Sequence, residues 1–256
     1  MMKPGVSSLA LCAMLFGQPV AAADTGHALS FDGIDDVVEV PGEAALDLTR
    51  NFTLEAWVKL PPTQDTFSAT SVIVAKTTDE LDWNGNYWLN IDNGSNVAIV
   101  GIGDQVAGSQ FLYGTTNLGT SEWMHVAGVR SHTALKIYVN GILEASTRRS
   151  VYQQANDAPV RIGGTPTRYG SILYLGGVVD EVRIWNIARS AKDIRRTMHR
   201  SLEGTEEGLV GYWRMDKGRG QDVRDSSPTH ANGTLGTTSE RDSGDPLWVK
   251  SQVPAD

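Results

Sequence analysis

The chain has 256 residues, with 22 Lys and Arg against 30 Asp and Glu, for a formal net charge of −8. That balance argues against nucleic acid or an anionic membrane surface as partner, because both select basic proteins. The single cysteine, Cys12, rules out an intramolecular disulfide, so cohesion must come from a hydrophobic core or from bound ions.

The first 23 residues read as a signal peptide. Lys3 supplies a basic start, Val6 to Phe16 is a short apolar stretch, and Ala21-Ala22-Ala23 is a small-residue cleavage site ahead of Asp24. The apolar stretch is too short to span a bilayer, so export without membrane insertion is expected, to the periplasm or the extracellular space. Cys12 lies inside this leader behind Leu11, a poor context for a lipid anchor.

Short alternating segments follow. ALSF and DVVEV flank a Gly-Ile-Asp turn between Ala28 and Val40. NFTLEAWVKL alternates cleanly, with Phe52, Leu54, Ala56, Val58 and Leu60 on one face and Thr53, Glu55, Trp57 and Lys59 on the other. SVIVAKT, NYWLNID, NVAIVGIG, WMHVAGVR, LKIYV, ILEAS, PVRIGG, VVDEVRIW and GLVGYWRM continue the series. Asn140-Gly141, between LKIYV and ILEAS, predicts a two-residue hairpin turn. One helix is predicted, SAKDIRRTMHR, with Ser190 as its cap and Asp193 in capping-box position. Its Arg195, Arg196 and Arg200 read as a solvated face or an arginine–carboxylate network. Strands at this density with one short surface helix predict an all-β, two-sheet antiparallel sandwich. The expected division is a leader at 1–23, a sandwich at 24–236 and a C-terminal extension at 237–256 that packs back on the domain.

One strand raises a question. In GGVVDEVRIWN, Gly176 to Asn186, strict alternation puts Asp180 in a row with Val178, Val182 and Ile184. A carboxylate in an apolar row needs a partner. Glu181 and Arg183 share the other, mixed face and read as a solvated or paired couple.

ALSFDGIDDVVEVP, FTLEAWVK, WMHVAGVR, LKIYVNG and VVDEVRIWNIARSAKDIR, in this order and spacing from Ala28 to Arg200, resemble the laminin G-like, concanavalin A-like jelly-roll family, in particular its bacterial and pentraxin-like branch. The resemblance implies two curved antiparallel sheets face to face. It also implies a mostly non-catalytic module that binds glycans or proteins, often with calcium. The segment Gly208 to Gly236 is similar to a phrase that in relatives precedes the FDG strand. Two readings of it are open: it supplies the same strand from the other end of the chain, or it begins a second domain that stops early.

Calcium takes six to eight oxygen ligands. The resemblance offers Asp180, with Asp32, Gly33, Asp35 and Asp36 of the FDG turn, as the ion's site. The alternative is that Asp180 bonds backbone amides or an arginine and that the other three aspartates are ordinary turn formers. Asp216, Asp222 and Asp225 with Asn232 form a second acidic group with the same ambiguity. A pentraxin-type double-calcium site is disfavoured, because the loop GGTPTRYGSILYLGG carries no carboxylate. Retaining glucanases of this fold class carry an E-x-D-x-x-E strand, and the nearest phrase is ELDWNGN, Glu80 to Asn86. It lacks the second glutamate that a retaining mechanism requires.

Sugar sites pair exposed aromatics with polar loop groups. The candidates are Trp83, Asn84, Tyr87, Tyr113, Arg168 and Tyr169. Trp57, Trp123, Trp185 and Trp213 lie inside strand patterns and read as core or sheet-face residues. The expected function is an exported, non-catalytic module that binds a glycan or an extracellular protein, with structural calcium. The alternatives are an adhesion or assembly module without sugar binding, and a diverged glycoside hydrolase.

Overall fold

The computed structural model describes residues 26–63, 69–78, 86–104, 108–148, 153, 155–165 and 173–254. The strands are β1 (His27–Asp32), β2 (Val38–Val40), β3 (Phe52–Lys59), β4 (Thr70–Lys76), β5 (Tyr87–Asp92), β6 (Val97–Asp104), β7 (Gly108–Tyr113) and β8 (Trp123–Arg130). They continue with β9 (Ala134–Val139), β10 (Ile142–Arg148), β11 (Val160–Ile162), β12 (Gly176–Trp185), β13 (Leu209–Trp213), β14 (Asp222–Val223), β15 (Gly233–Leu235) and β16 (Leu247–Lys250). The helix α1 spans Ala191–Thr197. None of the described helices is long and apolar enough to cross a membrane.

The strands form two antiparallel sheets. The first runs β10-β9-β8-β3-β12-β1-β16, with β13 also paired to β12. The second runs β14-β15-β2-β11-β4-β5-β6-β7. The core lies between them. Phe52, Leu54, Ala56, Val58 and Leu60, the predicted inner row, enter it together with Val126, Ile137 and Ile184 from the first sheet and Val74, Leu89 and Val100 from the second. Each such fully buried aliphatic side chain contributes about 1.5–3 kcal/mol.

Local signals act where expected. Asn140 and Gly141 adopt φ of 48° and 70°, and Val139 pairs with Ile142 across the turn. Two successive left-handed residues match the twist of the flanking strands, which is why Asn-Gly suits the position. Ser190 Oγ accepts the Asp193 amide at 3.2 Å and donates to Asp193 Oδ2 at 2.6 Å, which starts α1.

The segment after Gly208 joins both sheets: β13 pairs with β12, and β15 pairs with β2. The last residues contribute as well. His27–Ser30 of β1 pairs with Leu247–Lys250, so the chain beyond 236 supplies an edge strand to the first sheet.

Strict alternation does not hold along β12. Its register to β3 slips between Asp180 and Arg183, and Glu181 sits at φ 52°. This is a β-bulge, which inserts one residue and resets the alternation. Val179, Val182 and Ile184 therefore share the core face, and Asp180 is not in their row. The outer face of the first sheet is covered around β3. Residues 187–202 cover it: Thr53 Oγ1 donates to the Ile187 carbonyl at 2.9 Å, and Trp57 Nε1 donates to the Met198 carbonyl at 2.7 Å. Thr53, Glu55 and Trp57 are consequently as buried as the inner row.

Candidate functional site

Beneath α1 lies a buried polar network. β3, β8 and β12 are neighbours, and their outward residues Glu55, His125 and Arg183 meet there. Glu55 is fully buried, with Oε1 at 2.6 Å from Arg189 Nη1 and Oε2 at 3.9 Å from Arg183 Nη1 and 3.7 Å from His125 Nε2. Burial pushes the Glu55 carboxyl up, but His125 and the two guanidinium groups outweigh it and hold the group at about 2. Burial lowers the His125 pKa, against the pull of Glu55.

Arg183 Nη2 also pairs with Glu181 Oε2 at 2.5 Å, and Tyr212 Oη donates to the same oxygen at 2.7 Å. Both arginines then bind the covering segment. Arg183 donates to the carbonyls of Thr197 and Arg200, and Arg189 donates to the Asp193 carbonyl and Thr197 Oγ1. Arg189 stacks 4.0 Å over the Trp185 ring. The two arginines thereby hold the helix and the turn after it to the sheet. Of the two readings open for Glu181 and Arg183, solvated or paired, the structure shows the pair, and it is buried. Arg195, by contrast, donates to the Gly141 carbonyl at 2.8 Å.

The acidic turn after β1 lies at the rim. Carboxylate oxygens of Asp32, Asp35 and Asp36 lie within 4.8 Å of one another. Gly33, at φ 80°, gives the turn its left-handed step, and Asp32 Oδ1 accepts the Ile34 amide at 2.8 Å. Asp36 is buried, and its Oδ2 accepts the Asp32 amide at 2.8 Å. Residues from the C-terminal loop close over this turn, which the sequence did not suggest. Val37 N donates to the Gly244 carbonyl at 3.2 Å, and Ser243 Oγ donates to Asp35 Oδ2 at 3.0 Å. Asp245 is 7% exposed, and its Oδ1 has no hydrogen-bond partner among the described residues. Burial pushes the Asp36 carboxyl up to about 7, and the charges of Asp32, Asp35 and Asp245 add to that. Clustered carboxylate oxygens at a turn suit a hard cation.

Asp180 does not join this turn. In the β1–β12 register Asp32 faces Gly176, while Asp180 follows Val179, which faces Leu29. The Asp180 carboxylate instead accepts the Glu181 amide at 2.8 Å and the Ser251 hydroxyl at 2.5 Å. Burial pushes it up to about 8, against the pull of Ser251, and the charges of Glu181 and Asp216 add to the rise. The folded protein therefore keeps a proton that the unfolded chain, with an ordinary value of 3.8, has lost. Stability should fall as pH rises between about 4 and 8 and flatten above that. Asp180→Asn should remove this slope and stabilise the protein by roughly 2–4 kcal/mol at pH 8, read from urea unfolding at several pH values. An unchanged slope in the variant would refute the assignment.

The second acidic group does not converge on one point. Asp222 pairs with Lys217 at 2.6 Å and Asp216 with Arg214 at 3.4 Å, while Asp225 is fully buried and accepts four donors. Among the aromatic candidates, Tyr87 is corrected: it is fully buried in the core and donates to the Leu46 carbonyl at 3.1 Å, because β5 turns it inward with Leu89 and Ile91. Tyr113, at the end of β7, is 51% exposed. Trp83, Asn84, Arg168 and Tyr169, with Glu80 and Asp82, lie outside the described residues.

The Laminin_G_3 family model, concanavalin A-like lectin/glucanases superfamily, matches residues 32–195. The chain belongs to this superfamily. The match runs from the acidic turn to the middle of α1 and so includes most of both sheets. Among solved structures, a candidate carbohydrate-binding protein from Bacteroides ovatus shares 22% identity and a TM-score of 0.67, over 91% of this chain and 62% of that one. The present chain thus spans about three fifths of the length of that protein. The native heptameric SAP-like pentraxin from Limulus polyphemus aligns at 15% identity and TM-score 0.50, over 68% of this chain and 82% of that one. The CBM40 of the Ruminococcus gnavus IT-sialidase, bound to α2,3-sialyllactose, aligns at 12% and 0.52, over 66% and 95%. At these identities the likeness is one of fold. No curated protein matched significantly.

Proposed function

We propose that this superfamily member is an exported, non-catalytic module that binds carbohydrate and is stabilised by calcium. The observation that carries the reading is how its carboxylates are used. Inside the sandwich, Glu55 and Glu181 are tied to arginines and Asp225 to amides. At the rim of the same lectin-type fold, the Asp32–Asp36 turn clusters three carboxylates within electrostatic reach of Asp245, which keeps an orphaned oxygen. Asp32, Asp35, Asp36 and Asp245 would hold the ion, with the backbone at Gly33 shaping the turn. Bound calcium would neutralise this cluster and fasten the C-terminal loop to β1. Sugar contact is assigned to Tyr113 and, from the sequence, to Trp83, Asn84, Arg168 and Tyr169.

Calcium removal tests the first half. Melting should rise by about 5–10 °C between EDTA and saturating calcium, as expected for a ligand near a hundredfold above its Kd. Asp36→Asn and Asp245→Asn should each remove most of that rise. Identical melting of the wild type in both conditions would overturn the calcium assignment. For the second half, a glycan array with and without Tyr113→Ala should show signals that the variant loses.

A second reading, protein adhesion without sugar, has one observation in its favour. β10 and β7 are outer edge strands of the two sheets and lie together, with Gln110 Nε2 2.7 Å from the Arg148 carbonyl. Ile142 and Leu143 are 66% and 48% exposed on that edge, beside the strand that bears Tyr113. A silent glycan array would favour this reading.

A further inference from the structure

A groove unrelated to the acidic turn or to Tyr113 lies where the chain crosses from the first sheet to the second. After β13 the chain turns at Met215, φ 56°, and passes through Gly218 and Gly220 before pairing as β14. The groove has a volume of about 580 Å³, within the range of small-ligand sites. Trp248, Arg214, Asp216, Lys217, Asp222 and Arg224 line it. Trp248 stands on the edge strand β16, with its ring against the core and its Nε1–H donated to the Gly220 carbonyl at 2.9 Å. The indole is therefore held in one orientation, and its hydrogen-bonding edge is occupied. What it can offer a ligand is its apolar face.

The charges around it do not balance. Lys217 and Asp222 pair at 2.6 Å, and Arg214 faces Asp216 at 3.4 Å. Arg224 is exposed and has no carboxylate partner among the described residues. The groove thus keeps one surplus cation in a chain whose net charge is −8. Ser226 and Asn232 add hydroxyl and amide groups to the lining.

We propose that this groove binds a carboxylated sugar, its ring stacked on Trp248 and its carboxylate paired with Arg224. Pyranose rings present an apolar C–H face that suits an indole, and the guanidinium fork matches a carboxylate in two parallel hydrogen bonds. The hydroxyls would find Ser226, Asn232 and the flanking ion pairs. The proposal does not depend on the Tyr113 surface or on calcium.

Calorimetric titration with trigalacturonic acid at low salt, against maltotriose and a sulfated heparin disaccharide, tests it. The wild type should bind the carboxylated trisaccharide and bind maltotriose at least about tenfold more weakly. Arg224→Gln should weaken binding about tenfold or more while leaving the melting temperature unchanged, because the side chain is exposed and carries no internal ion pair. Trp248→Ala should weaken it similarly, and Tyr113→Ala should leave it intact. The proposal is overturned by equal affinity in Arg224→Gln, by equal affinity for maltotriose, by preference for the sulfated disaccharide, or by no binding at about 10 mM ligand.

Discussion

Glu55→Ala should destabilise the protein by about 3–5 kcal/mol, because it strands the buried Arg189 without its counter-charge and leaves Arg183 with Glu181 alone. Glu55 is the fully buried anion between Arg189 at 2.6 Å and Arg183 at 3.9 Å. Both guanidinium groups are themselves buried and hold the carbonyls and side chains of α1 and the turn after it. The loss is therefore expected to spread from β3 to the helix. At 2–4 °C per kcal/mol for a domain of this size, melting should drop by roughly 6–20 °C. Glu55→Gln keeps the shape and one acceptor and should cost less. Replacing the pair together, as Glu55→Leu with Arg189→Met, should cost less than Glu55→Ala alone, because no partner of that pair is left charged. Urea unfolding of the three variants decides the matter. A loss below about 1 kcal/mol for Glu55→Ala would mean that the network is not a staple.

The second large effect is expected at Asp225. It is fully buried, and its two oxygens accept the Tyr212 amide at 2.9 Å, the Ser227 amide at 2.8 Å, the Ser227 hydroxyl at 2.9 Å and the Ala231 amide at 2.8 Å. These donors belong to β13 and to the loop that leads into β15. Asp225 is thus the point at which the strand of the first sheet is joined to the strands of the second. Asp225→Ala leaves three buried amides without an acceptor, at about 1–3 kcal/mol each, so a loss of at least 3 kcal/mol is expected. Asp225→Asn retains one acceptor oxygen and should lose roughly half as much. Hydrogen exchange should show early opening of residues around 212–231 in the alanine variant. Uniform protection there would contradict the role.

These two sites show where the sequence was legible. The inner row of NFTLEAWVKL was readable because alternation on an unbroken strand is a local property. So were the Asn140-Gly141 hairpin and the Ser190 cap, which depend on residues within four positions of each other. The VVDEVRIW phrase misled for a physical reason. A bulge with a left-handed Glu181 breaks the period, and Glu is a poor signal for positive φ. Tyr87 opened an alternating strand, but whether its phase faced core or solvent depended on which sheet face was covered.

The candidate sites were less legible still. Asp32, Asp35 and Asp36 were readable as a turn cluster, because five consecutive positions suffice to bring them together. Asp245 and Ser243 were not, because they arrive from more than 200 residues away. Trp248 and Arg224 likewise meet only after the last strand pairs with the first. By itself, then, the sequence determined the strand-rich class, the turns, the helix cap, the inner core row and the family. Tertiary structure alone decided which outer face would be roofed by α1, which carboxylates would be consumed by arginines and amides, and which would be left at the rim. Local geometry follows from backbone preference and side-chain period, whereas burial and pairing are set by segments that only the closed sandwich brings into contact.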